Sequence, residues 1–186
     1  SKLAGKFGQK KALVLGTQLS MVAYSTLFFY LLLIDPTSIS LKNMNLVTIG
    51  YIIIQVIAQG VVGVSGAFVI PMISDCADYE TYKSGRFVPG MMGTLFSFVD
   101  KLISSFSSTI IAVAVAAIGF TQAMPDVTDS LTPAIFWMTM VLYIGIPMLG
   151  WLASLISMKF YDLDGDKMAE VQAYISSKRA EQALEQ

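Results

Sequence analysis

Four apolar stretches, at 12–34, 46–74, 91–120 and 133–160, constrain this chain more than anything else in it. An α-helix rises 1.5 Å per residue, so about 20 apolar residues suffice to cross the hydrocarbon of a bilayer. Each stretch clears that length, and the longer ones leave room for tilt or for extension past the lipid. Spanning β-strands need only about ten residues of strict alternation, which none of the four shows. Composition agrees: 13% of residues are charged and 55% are apolar, against about 25% charged in an ordinary soluble domain. Too little charge is present to cover a water-facing surface. The expected fold is an all-α polytopic membrane protein with four transmembrane helices.

The connections set an expected orientation. Segment 1–11 carries Lys2, Lys6, Lys10 and Lys11, loop 75–89 carries Lys83 and Arg86, and the tail 161–186 carries Lys167, Lys178 and Arg179. The connection 35–45 has only Lys42, and 121–132 has no basic residue. The positive-inside rule puts both termini and the middle loop in the cytoplasm. Segment 1–11 then reads as a cytoplasmic loop, 12–160 as the four-helix membrane part, and 161–186 as a cytoplasmic tail. Ser1 opens on the basic stretch without an initiator Met, so the chain is expected to be a piece of a longer protein. Within the tail, Met168, Val171 and Ile175 recur at helical spacing, with Asp166 as the expected cap of an amphipathic helix.

Several functions are argued against. A net charge of −1 gives no case for nucleic acid. With no histidine and the single cysteine Cys76, the chain has no His-based metal site, no disulfide framework and no Cys-His pair. The acidic group Asp75, Asp78 and Glu80 lacks a histidine, a phosphate loop or a nucleophile elbow beside it, so no enzyme is expected. Asp162, Asp164 and Asp166 alternate like a calcium loop, but Lys167 stands where that loop needs glycine. No bound cofactor and no metal are expected.

The informative residues are polar ones inside the spans. Asp100 and Lys101 sit deep in the third stretch, where a charge costs at least about 2.5–3.5 kcal/mol. Lys101 shares a helical stripe with Thr94, Ser97, Ser104 and Ser108, whereas Asp100 points about 100° away from it. Each is expected to face a cavity or a partner on another helix. In the second stretch Gln55 and Gln59 are four apart and read as pathway residues, because buried amides need partners such as sugar hydroxyls. Gly60, Gly63, Ser65 and Gly66 follow, with Pro71 beyond, and are read first as close-packing residues. Thr17, Ser20 and Tyr24 share a face of the first span and read as packing.

The run Ser74-Asp75-Cys76-Ala77-Asp78-Tyr79-Glu80-Thr81-Tyr82-Lys83-Ser84-Gly85-Arg86 resembles the loop between helices ten and eleven of the glycoside-pentoside-hexuronide:cation symporters, the melibiose-carrier-like branch of the major facilitator superfamily. The opening Gly5-Lys6-Phe7-Gly8-Gln9-Lys10-Lys11 is similar to that family's loop between helices eight and nine, and the tail from Phe160 is similar to its terminus. The resemblance implies that the four spans are helices nine to twelve of a twelve-helix fold. It implies a symporter that couples sodium or proton entry to sugar uptake by alternating access in a bacterial inner (plasma) membrane. Lys101 matches the family's pathway lysine, and Asp75, Asp78, Tyr79, Lys83 and Arg86 match its cytoplasmic gate motif. Gly66 stands near a position where some members carry a sugar-stacking aromatic. The cation site is implied to lie in N-terminal helices that this chain lacks and that would be its partners, so residues 1–186 alone are expected not to transport. The alternatives are a lysophospholipid-like lipid carrier of a related branch and a non-transporting scaffold or gene fragment.

Overall fold

The computed structural model describes residues 8–42, 44–120, 124–126 and 129–184, with the backbone alone for Arg179 and 182–184. Lys2 and Lys6 of the basic opening, parts of connection 121–132 and the Arg179 side chain lie outside the described residues. The described chain is all-helical, and four helices are long and apolar enough to cross a membrane.

α1 (Gln9–Leu33) begins after Gly8, whose φ of 77° suits a residue without a Cβ. Asp35 then precedes Pro36 in extended backbone and caps a single 3-10 turn, Pro36–Ser38, by accepting from the Thr37 amide at 3.0 Å. α2 (Leu46–Gly66) starts on Asn45, whose side chain accepts from the Thr48 amide at 2.7 Å. After a break at Ala67 and Phe68 the chain resumes as α3 (Val69–Ser84). Pro71 accounts for the break, because its ring cannot tolerate a helical carbonyl at Ala67, four residues earlier. α4 (Pro89–Ala117) opens with proline at its first position and stops before Gly119 at φ 99°.

The last span has three parts: α5 (Pro133–Met140), a π-helical turn over Val141–Gly145, and α6 (Ile146–Lys159). Pro147 lies four residues after Tyr143, so its ring presses on the Tyr143 carbonyl and the helix widens to make room. α7 (Gly165–Leu184) is the tail helix. Asp164, not Asp166, caps it, accepting from the Lys167 amide at 2.9 Å. Asp166 sits in the first turn instead, where a carboxylate favours the helix dipole.

α1 is the centre of the bundle. Its buried stripe, Leu13, Gly16, Thr17, Ser20, Tyr24 and Leu27, packs on α2 and on the last span. Tyr24, Leu27, Ala58, Met140 and Ile144 form one core, and Ala12, Leu13, Phe68 and Met72 form a second at the other end. Two glycines set the approach of α1 and α2. A Cβ on Gly16 would lie 2.5 Å from the Ser65 hydroxyl, and one on Gly50 would lie 2.6 Å from the Tyr30 hydroxyl. A Cβ on Gly60, Gly63 or Gly66 would meet nothing within 4 Å. The packing expected of those three glycines is therefore absent among the described residues; it is Gly16 and Gly50 that pack.

Candidate functional site

Gln55 and Gln59, one turn apart on α2, aim at the same phenol. Both amides donate to the Tyr143 hydroxyl, Gln59 at 2.9 Å, and Gln59 also reaches the Tyr24 hydroxyl at 3.4 Å. The Tyr143 oxygen thus accepts two N–H groups. Tyr24 lies with its ring centroid 5.9 Å from that of Tyr143 and 4.8 Å from that of Trp151, the latter edge-on. The cluster joins three spans: Tyr24 from α1, the glutamines from α2, Tyr143 from the π turn and Trp151 from α6. Tyr143 is 36% exposed, so the cluster opens to one side. The Gln55 side-chain oxygen is buried and has no hydrogen-bond partner among the described residues.

The π turn makes this arrangement possible. An uninterrupted α-helix advances 100° per residue, and the extra residue in the wide turn shifts the facing of everything before it relative to Trp151. Tyr143 and Trp151 were missed by reading the sequence for paired polar residues within one span. Pro147, a proline in the middle of an apolar stretch, was the available signal.

Lys101, Asp100 and Ser97 are not brought to that cluster. All three are exposed on α4, whose packing is chiefly against α3 and whose one buried residue is Val115. Among the described residues neither Asp100 nor Lys101 forms an ion pair, so the expected interhelical partner is not found there. The hydroxyls along α4 divide into those that bond back along their own helix and those that do not. Ser105, Ser107 and Thr109 return their hydrogens to carbonyls four residues back on their own helix. Ser97, Ser104 and Ser108, on the Lys101 stripe, have no such bond among the described residues, whereas Thr94 on that stripe bonds back to Gly90 and Ser105, one turn after Lys101, lies beside it. Ser97, Ser104 and Ser108 thus leave part of that polar face's hydrogen-bonding capacity unspent among the described residues.

The candidate gate motif differs from its expected form. Residues 75–84, read from sequence as loop, are helical as part of α3, and the chain leaves the helix only at Gly85, φ 73°. Glycine is the residue for that left-handed cap, and Lys83 in the last turn complements the helix dipole. The helix persists because α7 docks on it. Asp78 accepts from the Gln172 amide at 2.6 Å, and the Tyr82 hydroxyl donates to Glu170 at 2.6 Å. Lys167 pairs with Glu170 at 2.8 Å and lies 5.2 Å from the Tyr82 ring centroid. Tyr79 stacks on Tyr82 at 6.3 Å, and Tyr174 meets Tyr82 edge-on at 5.1 Å. Val171 and Ile175, the expected apolar face of the tail, are buried in this joint.

The hydrogen bond from Lys167, with that from Tyr82, holds the Glu170 carboxyl below the usual glutamate range. Asp75 is half-buried one turn before Asp78, where its charge lies near Tyr161, and burial pushes the Tyr161 phenol up. Lys83 and Arg86 remain exposed, without an ion pair among the described residues. The motif therefore splits: Asp78 bonds to the tail directly and Tyr79 reaches it through Tyr82, whereas the two cations are exposed and unpaired among the described residues. No cluster of three or more His, Cys, Asp or Glu side chains suited to a metal occurs among the described residues.

Residues 1–165 match the family described as MFS/sugar transport protein. No curated protein and no solved structure matches the chain.

Proposed function

The chain belongs to the MFS/sugar transport protein family of the major facilitator superfamily, and from that membership we propose that its four spans are helices nine to twelve of a cation-coupled sugar symporter. The observation that carries the sugar reading is the uncharged amide and phenol cluster of Gln55, Gln59, Tyr24 and Tyr143 inside the membrane part. Amides and phenols both donate and accept, which suits the hydroxyls of a sugar, and the Trp151 ring beside them suits its C–H faces. The unpaired Gln55 oxygen supports the same reading, since a buried acceptor left unsatisfied costs about 1–3 kcal/mol and a ligand hydroxyl would recover it.

Lys101, Asp100 and Ser97 take the pathway role from the other side. Their stripe on α4 faces a route completed by helices outside this chain, along which sodium or a proton moves with the sugar. Asp75, Asp78, Tyr79, Lys83 and Arg86 act at the cytoplasmic gate. There charge pairs that form in one state and part in the other bias the equilibrium between inward- and outward-facing forms. Both ends of the chain lie in the cytoplasm, and the membrane is the plasma membrane.

The test is uptake by the full-length protein in proteoliposomes, driven by a sodium or proton gradient, over a panel of labelled glycosides. Gradient-dependent uptake that falls at least tenfold in Lys101→Ala and in Gln59→Leu supports symport and puts both residues on the pathway. Uptake competed by lysophospholipids and not by sugars would replace the sugar reading with a lipid carrier.

A further inference from the structure

Between the start of α1 and the end of α6 the surface folds into a groove of about 520 Å³. Its α1 wall is Lys10, Val14 and Gln18, each one turn after the last, and its α6 wall includes Leu152, Ile156 and Lys159. Lys10 donates to the backbone carbonyl of Tyr161, which fixes the first turn of α1 beside the last turn of α6. Lys10 and Lys159 therefore share one end of the groove, and the apolar walls run from that end toward the middle of the span.

This is an amphiphile's shape. The single ion pair among the described residues is Lys167 with Glu170, so neither groove lysine is committed to a carboxylate there. Lys10 spends one ammonium hydrogen on the Tyr161 carbonyl and keeps two. Side chains on a helix lean toward its N-terminus, so the Gln18 amide leans back toward the lysine end. Two cations would meet a phosphate, an amide donor would stand below them, and Val14, Leu152 and Ile156 would line the path of an acyl chain.

We propose that this groove is a binding site for one anionic phospholipid, held by its phosphate at Lys10 and Lys159 with a chain along the α1 and α6 walls. Charge complementarity and membrane location both favour an acidic lipid here. A basic site between spans at the interface attracts acidic headgroups, and a zwitterionic lipid gains less there. The lipid lies toward the Lys10 end of α1, beyond the Gln55–Tyr143 cluster along the helix, and is not the cargo.

The experiment uses the full-length protein in bilayers of phosphatidylcholine with a minor fraction of spin-labelled phosphatidylglycerol, and reads the preference for the acidic lipid at the protein surface. Each of Lys10→Gln and Lys159→Gln is expected to lower that preference about fivefold, the scale of one cation at an acidic surface. Leu152→Trp, which fills the groove and leaves both charges, is expected to lower it as well, whereas Lys42→Gln leaves it unchanged. Free glycerol phosphate in excess should not displace the lipid, because it lacks the chain. Unchanged preference in the lysine variants overturns the proposal and fits a groove covered by another helix of the protein. Full displacement by glycerol phosphate overturns it in favour of a simple anion site.

Discussion

Tyr143 accepts two amide hydrogens from a helix that lies 84 residues earlier in the chain at its nearer donor. Replacing it with phenylalanine keeps the ring against Tyr24 and removes the acceptor. Membrane hydrogen bonds average about 0.6 kcal/mol, so Tyr143→Phe should cost about 1–2 kcal/mol through the two orphaned amides. Thermal unfolding in detergent measures the loss, and Gln59→Leu should cost less on top of Tyr143→Phe than in the parent. Gln55 and Gln59 were legible in the sequence because two amides at i and i+4 in an apolar stretch stand out. Their partner was not. Its position depends on how a distant helix is wound, and Pro147 marks that the winding changes there without saying where Tyr143 then points. Asp100 and Lys101 were equally legible as costly charges, but the groups that would balance them are not found among the described residues.

Helix boundaries followed the apolar pattern closely and departed from it where tertiary contact decides. Polar residues at 75–84 read as loop, yet the tail helix gives Asp78 and Tyr82 partners and the helix continues. The glycines show the same limit, since composition cannot say which small residue faces a neighbour. Gly16→Ala should destabilise by about 1–3 kcal/mol, because its Cβ would sit 2.5 Å from the Ser65 hydroxyl. Gly63→Ala meets nothing and should leave the unfolding free energy unchanged or raise it by up to about 1 kcal/mol from helix propensity. Chemical denaturation of the pair checks both. A third substitution, Pro147→Ala, removes the cause of the π turn. The helix should tighten to α and turn Tyr143 away, so that Gln59→Leu becomes nearly silent in that background.

Across the whole molecule, the membrane part and the tail are joined through α3. Glu170 is the hinge of that joint electrostatically. Its carboxyl titrates below the ordinary glutamate value when docked, first through Lys167 and then through Tyr82. The Lys167 pair lies within α7 and persists when the tail undocks, so only the Tyr82 bond couples titration to docking, and it favours the docked state modestly above the undocked carboxyl's range. That advantage is lost as pH falls toward the docked value. Hydrogen-exchange protection of α7 should therefore hold from neutral pH down to about pH 5 and weaken below about pH 4.3, the ordinary glutamate value. Glu170→Gln should flatten that part of the profile. The four-span architecture was legible from length and hydropathy alone, whereas the tail's seat on α3 rests on side chains that pair 88 and 94 residues apart.

The exposed polar stripe of α4 bears on how such a protein is made. Its most apolar window averages a hydropathy of 1.5, equal to that of the first span, so what sets it apart is the pair of charges deep inside it. Its two charges oppose release into lipid by about 2.5–3.5 kcal/mol each. Nothing among the described residues covers them. A ribosome delivering this chain would hand the insertion machinery three helices that can part into lipid on their own and one that gains from being held. During insertion α4 then depends on whatever covers Lys101, and the order of synthesis becomes part of the fold.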